Sequence, residues 1–132
     1  MAITLSYNAV TLALPDDLAW IDEFAWSAVE QTKTYTTTGA LLIEEATRQA
    51  GRPITLQADD NRAWCTRQLV TSLYAWCAIA NITMTLVLRG QARSVTFDRE
   101  NSALEGFPVL FYADGSIDAS DFYVPTIRLL EL

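Results

Sequence analysis

No histidine occurs anywhere in the 132 residues, and that one absence removes much chemistry. Gone are the usual general base near neutral pH, the Ser-His and Cys-His nucleophile pairs, and the commonest transition-metal ligand. Cysteine is scarce: two residues, Cys65 and Cys77, do not make a four-ligand zinc site. The five glycines stand singly at turns, without the clustering that cradles phosphates. The expectation is no enzyme, no cofactor and no metal. Lysine is nearly missing too, with Lys33 alone beside eight arginines, sixteen acidic residues and a net charge of −7. Such a chain lacks the basic patch that grips DNA or RNA. Long apolar runs are absent, since no segment approaches the ~20 residues of a membrane span. The start, MAITLSYNAV, has no basic region ahead of an apolar stretch, so no signal peptide is expected. Two thiols that do not pair suit synthesis in a reducing cytoplasm.

Carboxylates are plentiful but badly arranged for catalysis. Asp16-Asp17, Asp22-Glu23, Glu44-Glu45 and Asp59-Asp60 are sequence neighbours, and neighbours on a strand point to opposite faces. A glycosidase needs two carboxyls flanking one bond. The segment DGSIDASD gathers Asp114, Asp118 and Asp121, but it lacks the order of a calcium loop and reads as turn chemistry.

What is present is apolar residues, half of the chain, in a length that suits one domain with a real core. Alternation dominates. Residues 3–14, ITLSYNAVTLAL, read as two short strands around Tyr7-Asn8-Ala9. Residues 52–57 form a strand, as do residues 82–88, which turn through Arg89-Gly90-Gln91-Ala92 into residues 93–98. A further strand is expected over 107–112, and FYVPTIRLLEL closes the chain with Tyr123, Pro125, Ile127 and Leu129 on one face. One stretch differs. Residues 59–80, DDNRAWCTRQLVTSLYAWCAIA, carry Cys65, Leu69, Leu73, Trp76, Cys77 and Ala80 at helical spacing. They predict a helix over about 61–80, with Asp59, Asp60 or Asn61 as N-cap. Its other side, bearing Trp64, Arg67, Gln68, Thr71, Ala75 and Ala78, has one charge and suits either a loop-shielded face or a subunit contact. Seven to eight strands and one helix make a two-sheet sandwich or barrel with the helix laid across it the simplest architecture.

Two regions invite a partner. In LAWIDEFAW, Trp20, Phe24 and Trp26 stand among acidic residues, in a helical turn or an irregular arm. They either plug one end of the core or meet a neighbour. SAVEQTKTYTTT, then GALLIEEAT, reads as a hairpin over about 27–47 that projects from the body, with Lys33 and Tyr35 on its first limb. Trp20, Trp26, Trp64 and Tyr35 could also stack on sugar faces, so a monomeric carbohydrate-binding module is the alternative reading.

The stretch LPDDLAWIDEFAW at 14–26, TGALLIEE at 38–45 and AGRPITL at 50–56 resembles small tail proteins of long, flexible-tailed bacteriophages. The resemblance covers about a third of the chain by pattern and most of it by element order. It implies a tail-tube-like fold, mainly β, as a two-sheet sandwich or split barrel flanked by a single helix. It further implies a structural virion protein, made in the host cytoplasm, whose copies form a ring, commonly of six, at the distal end of the tail. Such a ring would link the tail tube protein to the tail-tip or hub proteins and leave a channel that DNA passes without specific binding. Tube and tube-terminator proteins share that fold. On this reading Trp20, Phe24, Trp26, Lys33, Tyr35, Trp64 and Arg67 are candidate subunit or ring contacts. Glu44, Glu45, Asp59 and Asp60 are candidates for an acidic channel lining, since a lumen that passes a polyanion should repel it.

Overall fold

Strand alternation over most of the chain, broken by one helical segment, produces a mainly β protein with two sheets. The computed structural model describes residues 3–48, 50–110 and 114–132. Among them the first strands are β1 (Ile3–Tyr7), β2 (Val10–Leu14), β3 (Ala19–Trp20), β4 (Val29–Tyr35), β5 (Leu41–Thr47) and β6 (Pro53–Gln57). Next come β7 (Cys65–Thr66), the helix α1 (Arg67–Cys77), β8 (Met84–Leu88), β9 (Gln91–Phe97), β10 (Leu104–Pro108) and β11 (Phe122–Glu131). Short 3-10 turns cover Arg99–Asn101 and Asp114–Ser116.

The large sheet runs β2-β1-β8-β9-β11-β6-β3 and does not close on itself. β11 is its spine. The last residues of β11 pair with β9 on one side and β6 on the other, while its first half pairs with β10 and β7. Two of the hairpins are joined by two-residue loops, Asn8-Ala9 and Arg89-Gly90, and all four residues have positive φ. That is the turn whose twist matches the strands it joins.

Every second residue of the central strands points into one core. Leu5, Ile54, Leu56, Leu86, Val95, Ile127 and Leu129 are wholly inaccessible, with Met84 and Ile82 nearly so. Leu18 and Trp20, from the arm after β2, close one end of it. The helix supplies Leu73 to the same core and packs against β7, β10 and β11. Gly106 on β10 permits that approach, because a Cβ there would lie 3.3 Å from Val70 Cγ1.

The helix is shorter than the periodicity of residues 61–80 predicts, and its cap is different. Asp59 accepts a bond from the Asn61 N–H at 2.8 Å and bridges Arg62, so residues 59–62 form a turn. Cys65 and Thr66 then stay extended because they pair with Tyr123 and Phe122 of β11. A residue held in a ladder cannot also enter a helix. Thr66, not Asp59, Asp60 or Asn61, is the N-cap, its hydroxyl accepting from the Leu69 N–H. The first free N–H groups are taken by the carbonyls of Asp121 (2.8 Å) and Ala119 (3.0 Å). At the far end Arg99 donates to the carbonyls of Cys77 (3.1 Å) and Ile79 (2.5 Å), a cation on the negative end of the helix dipole. Cys65 therefore lies on a strand, and Cys77 on the last turn.

Two further boundaries move. The strand expected over 107–112 is β10, which begins at Leu104 and ends at Pro108; Val109 and Leu110 form a bend, and 111–112 lie outside the described residues. The arm over 15–26 is irregular except for Ala19–Trp20, which pairs with β6.

Candidate interaction surfaces

Among the described residues β4 and β5 pair only with each other, and each of their fourteen residues is exposed. Thr-rich and β-branched sequence makes the strands extended. The loop closes through the Thr36 N–H on the Ala40 carbonyl at 2.8 Å, with Gly39 at φ 84°. Register places Val29, Gln31, Lys33, Tyr35, Leu41, Ile43, Glu45 and Thr47 on one face. Near the tip this face is apolar: Tyr35 is 74% exposed, Leu41 45% and Ile43 47%. Further down, Gln31 Nε2 donates to Glu45 Oε1 at 2.6 Å. The second face carries Glu30, Thr32, Thr34, Leu42, Glu44 and Ala46, with two carboxylates and no cation.

Beside the hairpin base lies a cluster of arginines and tryptophans. The guanidinium carbons of Arg52, Arg93 and Arg89 stand 4.7, 5.2 and 5.8 Å from the Trp20 ring centre. Those of Arg48 and Arg52 stand 5.6 and 5.9 Å from that of Trp26. Arg89 pairs with the Glu23 carboxylate, and Arg93 with Glu131 at 3.1 Å. Arg52 donates to the Glu23 backbone carbonyl at 2.7 Å. Asp22 binds both the N–H and the hydroxyl of Thr55 at 2.9 Å, which fixes the arm against β6. A cleft of about 200 Å³ opens here, lined by Trp26, Arg48, Gly51, Arg52, Arg93 and Glu131 among others.

A second apolar surface lies where β7 meets β11. Trp64 and Phe122 pack with ring centres 6.0 Å apart. With Val109 and Leu110 they line a hollow of about 260 Å³. Trp64, Leu110 and Phe122 are all exposed.

The residues singled out in the sequence fall into distinct places. Phe24 is 92% exposed and Trp26 is half-buried beneath the arginines. Trp20 is only 9% exposed; it fills the core end, and its ring already carries three guanidinium groups, so neither a partner nor a sugar can stack on it. Lys33 and Tyr35 share the first hairpin face. Trp64 is exposed, its Nε1–H donating to the Asp60 carbonyl at 3.2 Å. Arg67 is held within the chain, donating to the Tyr123 hydroxyl at 2.5 Å. Glu44 and Glu45 take opposite hairpin faces, so they cannot both line one wall. Asp59 is paired with Arg62 at 3.3 Å, and Asp60 is exposed in the turn before Trp64. Asp118 and Asp121 are occupied within their own turn.

Both thiols are shifted. Burial pushes Cys65 up to about 11, against a partial offset from a backbone hydrogen bond. Burial also raises Cys77, with Arg99 pulling the other way. Neither is poised as a nucleophile, which needs a lowered pKa. The arginine cluster was invisible in the sequence, because Arg48, Arg52, Arg89 and Arg93 are spread over more than forty positions. The available signal was eight arginines in an acidic chain. Comparison with protein-family models, curated proteins and solved structures gives no match. Among the described residues no helix is long and apolar enough to cross a membrane.

Proposed function

We propose that this chain is a structural protein of a phage tail, working by assembly without a catalytic step. In this reading six copies form a ring at the distal end of the tail. The ring joins the tube to the tail-tip or baseplate proteins and leaves a channel for DNA. The observation that carries the proposal is the β4–β5 hairpin, whose fourteen residues are all exposed and include Val29, Tyr35, Leu41, Leu42 and Ile43. An isolated two-stranded hairpin is marginal in water, and an apolar patch of this kind normally marks a contact. Closed rings use heterologous contacts, one patch of each copy meeting a different patch of the next. The hairpin and the exposed Trp64–Phe122 surface supply two such patches. The net charge of −7 suits a wall that a polyanion must pass.

The test is the mass of the purified chain by light scattering over a concentration series, with negative-stain images, beside a variant lacking residues 32–38. Rings from the intact chain, and a folded variant that stays monomeric, are the expected pair of results. Normal, infectious tails built from the deletion variant would sink the idea.

A further inference from the structure

We propose that the arginine–tryptophan cleft is a carboxylate-binding site, and that its occupant is Glu44 on the hairpin of a second copy of this chain. The inference rests on the ring reading and names one of its contacts. Four of the eight arginines in a chain of net charge −7 converge on Trp20 and Trp26. Two carboxylates sit among them, and each is already bound to one arginine, Glu23 to Arg89 and Glu131 to Arg93. Arg48 and Arg52 have no carboxylate partner among the described residues. Stacking on an indole orients a guanidinium but leaves its in-plane donors free, and a planar oxyanion is what that fork accepts best. The volume of about 200 Å³ admits one carboxylate group with a few waters, at roughly 30 Å³ each.

The charge complement is on the same molecule. Many of the exposed carboxylates are engaged, such as Asp59 with Arg62, Glu105 with Arg128 and Glu45 with Gln31. Asp16, Glu30, Glu44, Asp60 and Glu100 have no side-chain partner among the described residues; of these only Glu30 and Glu44 stand on the projecting hairpin, as diagonal neighbours on its cation-free face, roughly 7–8 Å apart. The hairpin cannot deliver Glu44 to its own cleft. Arg48 follows β5 directly, and its N–H closes the hairpin base on the Ala28 carbonyl at 2.7 Å. Glu44 stands four residues up the strand, roughly 13 Å away. A second copy's cleft is the one it can meet, and the contact is heterologous when each hairpin passes to the next copy in turn, as in a ring.

The test is a charge swap in the full chain. Arg48 is exposed and Glu44 lies on an exposed strand, so Arg48→Glu and Glu44→Arg should each melt within a few degrees of wild type by circular dichroism. Each reversal alone is expected to raise the dissociation constant of the assembly about tenfold or more. The double reversal should recover most of that loss. If wild type assembles and a single reversal has no effect, or the double variant fails to recover, the pairing is wrong while the ring reading stands. If wild type is monomeric at every concentration, both are wrong. If acetate or phosphate quenches tryptophan fluorescence saturably but leaves assembly unmoved, the cleft is a small-oxyanion site and the proposal is overturned.

Discussion

Replacing Leu41 and Ile43 together by Thr separates the two roles the hairpin could have, support for the fold or contact with a partner. Both side chains lie on the first hairpin face and are 45% and 47% exposed. Thr keeps the β-branched preference for extended backbone, so the hairpin should persist. Full burial of a Leu or Ile side chain is worth about 1.5–3 kcal/mol. With nearly half of each still accessible in the free chain, cover by a partner supplies about 1 kcal/mol per residue, about 2 kcal/mol for the pair. At 1.4 kcal/mol per factor of ten, the double variant should weaken assembly roughly thirtyfold at each contact. The free domain should scarcely notice, because substitutions away from buried features cost within about 0.5 kcal/mol. That corresponds to about 2 °C in melting temperature for a domain of this size. Sedimentation over a concentration series reads the first quantity, and thermal circular dichroism at low concentration reads the second. A melting temperature lowered by 10 °C would show that the hairpin supports the body. Unchanged assembly would refute its use as a contact.

Two further outcomes follow from the core and the helix. Thr66→Ala should cost about 1 kcal/mol, since it removes the cap that accepts the Leu69 N–H, whereas Asp60→Ala should cost nearly nothing; urea melts of the two variants would reverse that order if the helix began at residue 61. Cys65 ties stability to pH. Its folded pKa lies at about 11, above an ordinary 9.0, so the folded state holds the thiol neutral while the unfolded chain ionises first. That contribution is fully present below pH 9 and is lost as pH rises to about 11. Urea melts of wild type and Cys65→Ala at pH 8, 10 and 11 should show the wild type losing more, and equal slopes would refute the assignment.

Much of the fold was legible because alternation is a local signal. Ile3 and Leu5, or Met84, Leu86 and Leu88, reveal a buried face within a few residues. The hairpin showed itself by a Thr-rich limb before Gly39 and the apolar run Leu41-Leu42-Ile43 after it. Trp20 was ambiguous for the opposite reason: an aromatic in an irregular arm has no period, and only the contacts around it place it in the core.

Composition and pattern by themselves determined the class of protein. A chain with strands marked by alternation and one segment of helical period folds as a mainly β domain with a single helix. The tertiary structure decided three other things. It shortened the helix, because pairing with β11 holds Cys65 and Thr66 extended, a choice that rests on a strand some sixty positions away. It buried Trp20 at the core end, away from any contact surface. It also gathered four arginines around two tryptophans, and no local pattern encodes a cluster whose members meet only when the sheet curls.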